Sequence, residues 1–225
     1  MKTSAVKLEE LYEYEPLTEN QKKTFDAWTD GENLALLGSA GTGKTFLALY
    51  LALEAVTDKQ IPQEKITLFR SVVPTRDMGY LPGTVEEKKE VFETPYKNIV
   101  TELLGGDQPY KRMINTHQFE FMTTSFIRGL TIDNSVIIVD EMQNLNFHEL
   151  DSVMTRVGNN CRIIFCGDYH QSDFREGHER DGVMKFMRVV EQMKNFSVIQ
   201  FGWEDIVRSD FVRDYIMTKE MLGIR

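Results

Sequence analysis

A chain of 225 residues has room for one α/β domain with a core on both sides of a sheet, and too little for two such domains. Its formal net charge of −9 excludes a surface that coats nucleic acid by charge alone, so any such contact must be local. The two cysteines, Cys161 and Cys166, make neither a disulfide framework nor a zinc set, and no apolar run resembles a signal peptide or reaches membrane length. A cytoplasmic protein without membrane contact is therefore expected.

In chain order, residues 1–15 are acidic and carry tyrosines without a strand signal, which predicts an extended lead-in to a single domain over 16–225. Thr18 with Gln21 three residues on predicts the start of a helix, by a capping box, that runs to about Trp28. After a turn at Asp30–Asn33, Leu34–Leu37 reads as a strand buried on both faces. Thr45–Val56 is apolar nearly all round and predicts a helix packed between layers. Ile66–Phe69 is the next strand, followed by a long connection, Arg70–Gly83, punctuated by Pro74, Gly79, Pro82 and Gly83. A helical stretch over Thr84–Leu104 is expected to be interrupted or kinked near Pro95. Strands are then predicted at Phe119–Met122, Ser135–Val139, Arg162–Cys166 and Phe196–Phe201, with helices over 146–157, Asp181–Lys194 and Asp205–Leu222. This alternation predicts a mostly parallel sheet with helices on both faces.

Two motifs carry chemistry. Gly38-Ser39-Ala40-Gly41-Thr42-Gly43-Lys44-Thr45 matches the phosphate-loop pattern, between a strand and a helix. Its small residues let backbone N–H groups wrap an anion, Lys44 supplies a point charge to the β- and γ-phosphates of ATP, and the Thr45 hydroxyl suits Mg²⁺. Val136-Ile137-Ile138-Val139-Asp140-Glu141 has the form of a Walker B element, which brings its acids beside the loop at the carboxyl ends of the strands. Asp140 is expected to hold Mg²⁺ and Glu141 to polarise the attacking water, which favours hydrolysis over transfer to another acceptor. Gln171, after the strand that ends at Gly167, either senses the γ-phosphate or is a polar turn residue. The scattered histidines argue against a metal site built from protein ligands alone.

The order of these motifs, with Arg70-Ser-Val-Val-Pro, Gly79-Tyr-Leu-Pro-Gly, Ile127-Arg-Gly-Leu-Thr131, Thr155-Arg-Val-Gly158 and Gly167-Asp-Tyr-His-Gln171, resembles that of PhoH-like ATPases over roughly residues 17–215. Some motifs are shared with the first RecA-like domain of superfamily-one helicases. The resemblance implies a RecA-like P-loop NTPase fold in which the strand ending at Gly167 lies between the phosphate-loop strand and the Asp140 strand, with Gln171 next to the γ-phosphate. It makes Gln21 resemble an adenine-reading glutamine as well as a helix cap. The family's Arg-Pro after the second strand is here Arg70-Ser71. The class implied is that of short, ATPase-only members, including those of bacteriophages.

Hydrolysis at such a site needs an arginine for the developing charge, often supplied by another subunit. Trp203-Glu-Asp-Ile-Val-Arg208-Ser-Asp-Phe-Val-Arg213 resembles the family's arginine-bearing terminal motif. It makes Arg208 the first candidate, Arg213 the second and Arg156 a third, against a plain reading as surface arginines in salt bridges. A homo-oligomeric ring, with a hexamer as its candidate form, would deliver each arginine to its neighbour. For single-stranded RNA, the partner that the resemblance implies, candidates are Arg76, Lys88, Lys89, Lys111 and Arg112, with Tyr80, Tyr96 and Tyr110 for stacking.

Overall fold

The computed structural model describes residues 4–71, 85–124, 127, 129–168 and 177–224, with the backbone alone for 85–90 and 177–181. Six strands form one sheet: β1 (Asn33–Gly38), β2 (Lys65–Arg70), β3 (Phe119–Thr123), β4 (Ser135–Asp140), β5 (Arg162–Gly167) and β6 (Phe196–Phe201). Their order is β3-β2-β4-β5-β1-β6, and every pairing is parallel. β5 thus lies between the strand that leads into the phosphate loop and the strand that ends at Asp140, as the resemblance implied.

The alternation of side chains along a strand sorts the core into two layers. Leu34, Leu36, Ile66, Leu68, Val136, Ile138, Ile164 and Cys166 face α2 (Lys44–Thr57), α3 (Val85–Leu103) and α4 (Asp107–Asn115). Ala35, Leu37, Ile137, Val139, Ile163 and Phe165 face α5 (Phe147–Met154) and α6 (Gly177–Val190). Helices therefore cover both faces, which explains why the central strands read as unbroken apolar runs. In α2 ten residues are buried, because this helix is packed between the sheet and further helices.

α3 runs through Pro95 as one helix without an interruption, and three further elements depart from expectation. First, α4 follows α3 after a short turn at Leu104–Gly106, and a polar composition hides it: only Tyr110 and Met113 of its nine residues are buried. Second, the capping box at α1 (Glu19–Thr29) is half made. The Thr18 side chain accepts from the Gln21 N–H, but the Gln21 side chain accepts from the N–H of Leu17. Third, the helix expected over Asp205–Leu222 is broken into a single turn at Trp203–Asp205 and α7 (Asp210–Met221). The buried Asp205 carboxylate ties the first turn down, accepting from the Thr18 hydroxyl, Asn20 Nδ2 and the Gly202 N–H. Arg208 falls in the break.

The lead-in is held against the body. Val6 is buried and its N–H and C=O pair with the amide of Gln118. The Tyr12 N–H donates to the Leu103 carbonyl, and the Tyr14 ring lies 4.9 Å from that of Phe46. Among the described residues no helix is long and apolar enough to cross a membrane.

Candidate active site

Four chain segments converge at the carboxyl edge of the sheet around a cleft of about 300 Å³, lined by Gly41, Lys44, Thr45, Asp140, Glu141, Gln143, Asp168 and Arg208 among others. The phosphate loop leaves β1 through Gly38 at φ +125, where a Cβ would stand 2.0 Å from the Phe201 carbonyl oxygen. Only glycine fits both that angle and that approach. Gly41 and Gly43 also have positive φ, +75 and +84. The loop is cross-braced by the Thr42 hydroxyl, which donates to the Ser39 carbonyl at 3.0 Å.

Lys44 opens α2, and its ammonium donates to the carbonyls of Gly38 (2.8 Å) and Ser39 (2.6 Å). Burial pushes its pKa below the ordinary lysine value, against the opposing pull of the Asp168 carboxylate, Cys166, Asp140 and Glu141. The next residue, Thr45, donates from its hydroxyl to Asp140 Oδ1 at 3.0 Å. The other carboxylate oxygen of Asp140, Oδ2, accepts from the Tyr96 hydroxyl at 2.8 Å. Asp140 is 5% exposed. Burial first, and then the Glu141 charge, hold its pKa above the usual carboxylate range, while the hydrogen bonds from Tyr96 and Thr45 and the Arg70 charge oppose that rise.

Glu141 follows β4 in the left-handed region at φ 52, a conformation uncommon for glutamate that turns the chain sharply into the next turn, Met142–Asn144. Its carboxylate accepts from Gln143 Nε2, and Gln143 Oε1 accepts from the Asp168 N–H at 3.1 Å. The 6% exposed Gln143 thus ties the acid after β4 to the end of β5. Sequence reasoning assigned it no role, although its place two residues beyond the second acid is the signal that could have marked it.

Arg208 lies against the loop of its own chain. A Cβ on Gly41 would meet Arg208 Cγ at 3.1 Å and Ile216 Cδ1 at 3.2 Å, and the Val207 N–H donates to the Gly41 carbonyl. From α7, Glu220 Oε2 accepts from the Ser39 hydroxyl at 3.1 Å and from Trp203 Nε1 at 2.5 Å. The segment after β6 therefore clasps the loop, and Arg208 reaches it without a neighbouring subunit. Arg213, on α7, does not line the cleft. Arg156 follows α5, where its carbonyl accepts from the Ile132 N–H. That places its backbone near the start of β4, at the opposite end of the sheet from the loop.

Gln21 is fully buried. Its Oε1 accepts from the Leu17 N–H (2.7 Å) and the Tyr14 hydroxyl (3.1 Å), and its Nε2 donates to the Thr42 carbonyl at 3.4 Å. It braces the loop from behind, and a contact to a base would require that brace to open. Gln171 lies outside the described residues, as do Arg76 and Tyr80, and so do the side chains of Lys88 and Lys89.

The described stacking candidates are not available. Tyr96 is 1% exposed and bonded to Asp140, and Tyr110 is buried with its hydroxyl on Glu93. Sequence proximity to lysines could not show that both rings face the sheet. Arg112 pairs with Glu10, and Lys111 with Asp107. Tyr110 and Lys111 line a larger cleft of about 530 Å³ between α3 and α4, which gathers none of the phosphate-binding groups, so the smaller one is the candidate site.

Among the described residues no group of three or more acidic, histidine or cysteine side chains could hold a metal by itself. The Thr45–Asp140 pair offers two hard oxygens, a set that suits Mg²⁺, which keeps several waters and takes phosphate oxygens as its remaining ligands.

A six-stranded parallel sheet with a glycine-rich phosphate loop after β1, paired acids after β4 and β5 between them defines a RecA-like P-loop NTPase fold. The large terminase of a thermophilic bacteriophage shares it with a TM-score of 0.52 at 13% identity, over 92% of this chain and 50% of that one. Residues 13–219 match the PhoH-like protein family, and the chain belongs to it. It is 28% identical over 202 residues to the PhoH-like protein of Mycobacterium leprae, covering 89% of this chain and 57% of that one. It is 31% identical over 174 residues to Protein PhoH of Escherichia coli, covering 76% and 48%. The chain spans about half the length of these curated relatives.

Proposed function

We propose that this chain is a Mg²⁺-dependent ATPase. The observation that carries the reading is the 3.0 Å contact between the Thr45 hydroxyl and Asp140 Oδ1, made in one cleft with the Lys44 ammonium and Glu141. Those are the groups that a triphosphate and its cation need. The loop amides and Lys44 take the β- and γ-phosphates, and Thr45 and Asp140 hold Mg²⁺, which neutralises charge on the phosphate oxygens when bound. Glu141 accepts a proton from a water as that water's oxygen bonds to the γ-phosphorus and the bond to the β-phosphate oxygen breaks. Gln143 fixes the orientation of that carboxylate, and Arg208 offers its charge to the transferring phosphoryl group in cis. Gln171 keeps its sequence role as a γ-phosphate sensor.

Coupling to single-stranded RNA, in a helicase-like manner, is the work proposed for the hydrolysis, on the strength of the family's likeness to superfamily-one helicases. Its remaining basic and aromatic candidates are Arg76, Tyr80, Lys88 and Lys89. The second reading is a nucleotide-dependent ring-assembly module. The exposed apolar residues of α7 favour it: Phe211 is 84% exposed and Tyr215 63%, four residues apart on one helix face.

Phosphate release measured with Mg²⁺ and then with EDTA tests the core of the proposal, and Glu141→Gln should lower turnover by about 100-fold while nucleotide binding persists. Unchanged turnover in that variant would remove Glu141 from its role. Severalfold stimulation by RNA oligomers supports the motor. RNA-independent turnover together with ATP-dependent oligomerisation supports the module.

A further inference from the structure

The Asp140 carboxylate is gripped at both oxygens, by Thr45 on α2 at 3.0 Å and by Tyr96 on α3 at 2.8 Å. Tyr96 has its own supports. Its ring packs against Phe121 with centroids 5.9 Å apart. Arg70, which ends β2 in register with Asp140, sets its guanidinium over the rings of Phe92 and Tyr96, at 5.7 and 5.8 Å from their centroids. Arg70 Nη1 also approaches the Tyr96 hydroxyl at 3.4 Å.

We propose that Tyr96 is the positioning residue of the metal site: its hydroxyl fixes the plane of the Asp140 carboxylate so that lone pairs on the Thr45 side point into the cleft. This rests on the reading of Thr45 and Asp140 as the Mg²⁺ groups. A buried carboxylate held only by Thr45 would be free to turn about its last side-chain bond. Partners that orient metal-binding carboxylates typically govern metal affinity by 10- to 100-fold. The ring's burial and the Arg70 stack hold the hydroxyl in place. Because Arg70 sits at the end of β2 and Phe92 and Tyr96 sit on α3, the same brace ties the metal site to both elements.

The test compares wild type, Tyr96→Phe and, as a control for losing a buried tyrosine hydroxyl away from the cleft, Tyr110→Phe. ADP affinity is measured calorimetrically in EDTA and across a series of free Mg²⁺ concentrations. Tyr96→Phe should leave affinity in EDTA within about twofold of wild type, yet need about tenfold more Mg²⁺ to reach half of the metal-dependent gain. Tyr110→Phe should move neither value. A Tyr96→Phe midpoint equal to that of wild type, whatever its melting temperature, overturns the positioning role while the Mg²⁺-site reading stands. Wild-type ADP binding that ignores Mg²⁺ overturns both. If Tyr96→Phe does not fold, 3-fluorotyrosine introduced at position 96 keeps the hydroxyl. Its fluorine resonance should then shift on adding Mg²⁺ to the ADP complex, and a resonance indifferent to Mg²⁺ overturns the proposal.

Discussion

At the scale of single residues, the phosphate loop is constrained from outside itself. Gly38 must be glycine because the end of β6 presses on it: a Cβ there would meet the Phe201 carbonyl at 2.0 Å in a backbone conformation that L-residues avoid. Gly38→Ala should therefore lower the unfolding free energy by about 3 kcal/mol, read as a shift in denaturant midpoint. Gln21 is as tightly held, with bonds to Leu17, Tyr14 and Thr42. Gln21→Ala should destabilise by about 2 kcal/mol through lost hydrogen bonds and a cavity, and should weaken ADP binding as well, because the loop loses its support. A Gln21 that only capped its helix would show the first effect without the second.

At the scale of elements, α2 carries a titration with a definite sign. Burial first, and then the neighbouring Asp58, raise the Glu54 pKa above the ordinary carboxylate value. The folded state therefore binds a proton more readily than the unfolded chain. The resulting stability is fully present below the unfolded-state pKa and is lost as pH rises through the folded one. Glu54→Gln should thus gain stability over wild type at neutral pH, and that gain should vanish in thermal melts run below about pH 4. The break between Asp205 and α7 matters in another way. Had the helix run unbroken from Asp205, Arg208 would have sat on a helical turn. Instead the chain turns at Asp205, Val207 bonds to Gly41, and Arg208 falls against the loop.

At the scale of the whole molecule, the placement of Arg208 changes what mixing subunits should show. With the arginine beside its own chain's loop, Lys44→Ala and Arg208→Ala proteins mixed at any ratio should give only the sum of their separate ATPase rates. A rate above that sum would mean that sites are completed between chains. The exposed face of α7 allows a separate check on assembly: Phe211→Ser with Tyr215→Ser should leave the melting temperature nearly unchanged, since surface substitutions stay within about 0.5 kcal/mol. If the assembly reading holds, the pair should abolish the ATP-dependent mass change in sedimentation. Much of this architecture was legible in the sequence. The apolar runs at Leu34–Leu37, Val136–Val139 and Ile163–Cys166 marked central strands, because burial on both faces leaves no polar positions, and the phosphate loop and paired acids gave the site's chemistry because their spacing is local. Tyr96 carried no such mark, since its meeting with Asp140 joins residues 44 apart in the chain. Nor could sequence show that α4 turns Tyr110 inward, or that Arg208 faces its own loop. Local order determined which strands and phosphate-binding groups this chain has. Which side chains orient those groups was decided only by the packing of α3, α4 and the segment after β6, because long-range contacts leave no fixed spacing to read.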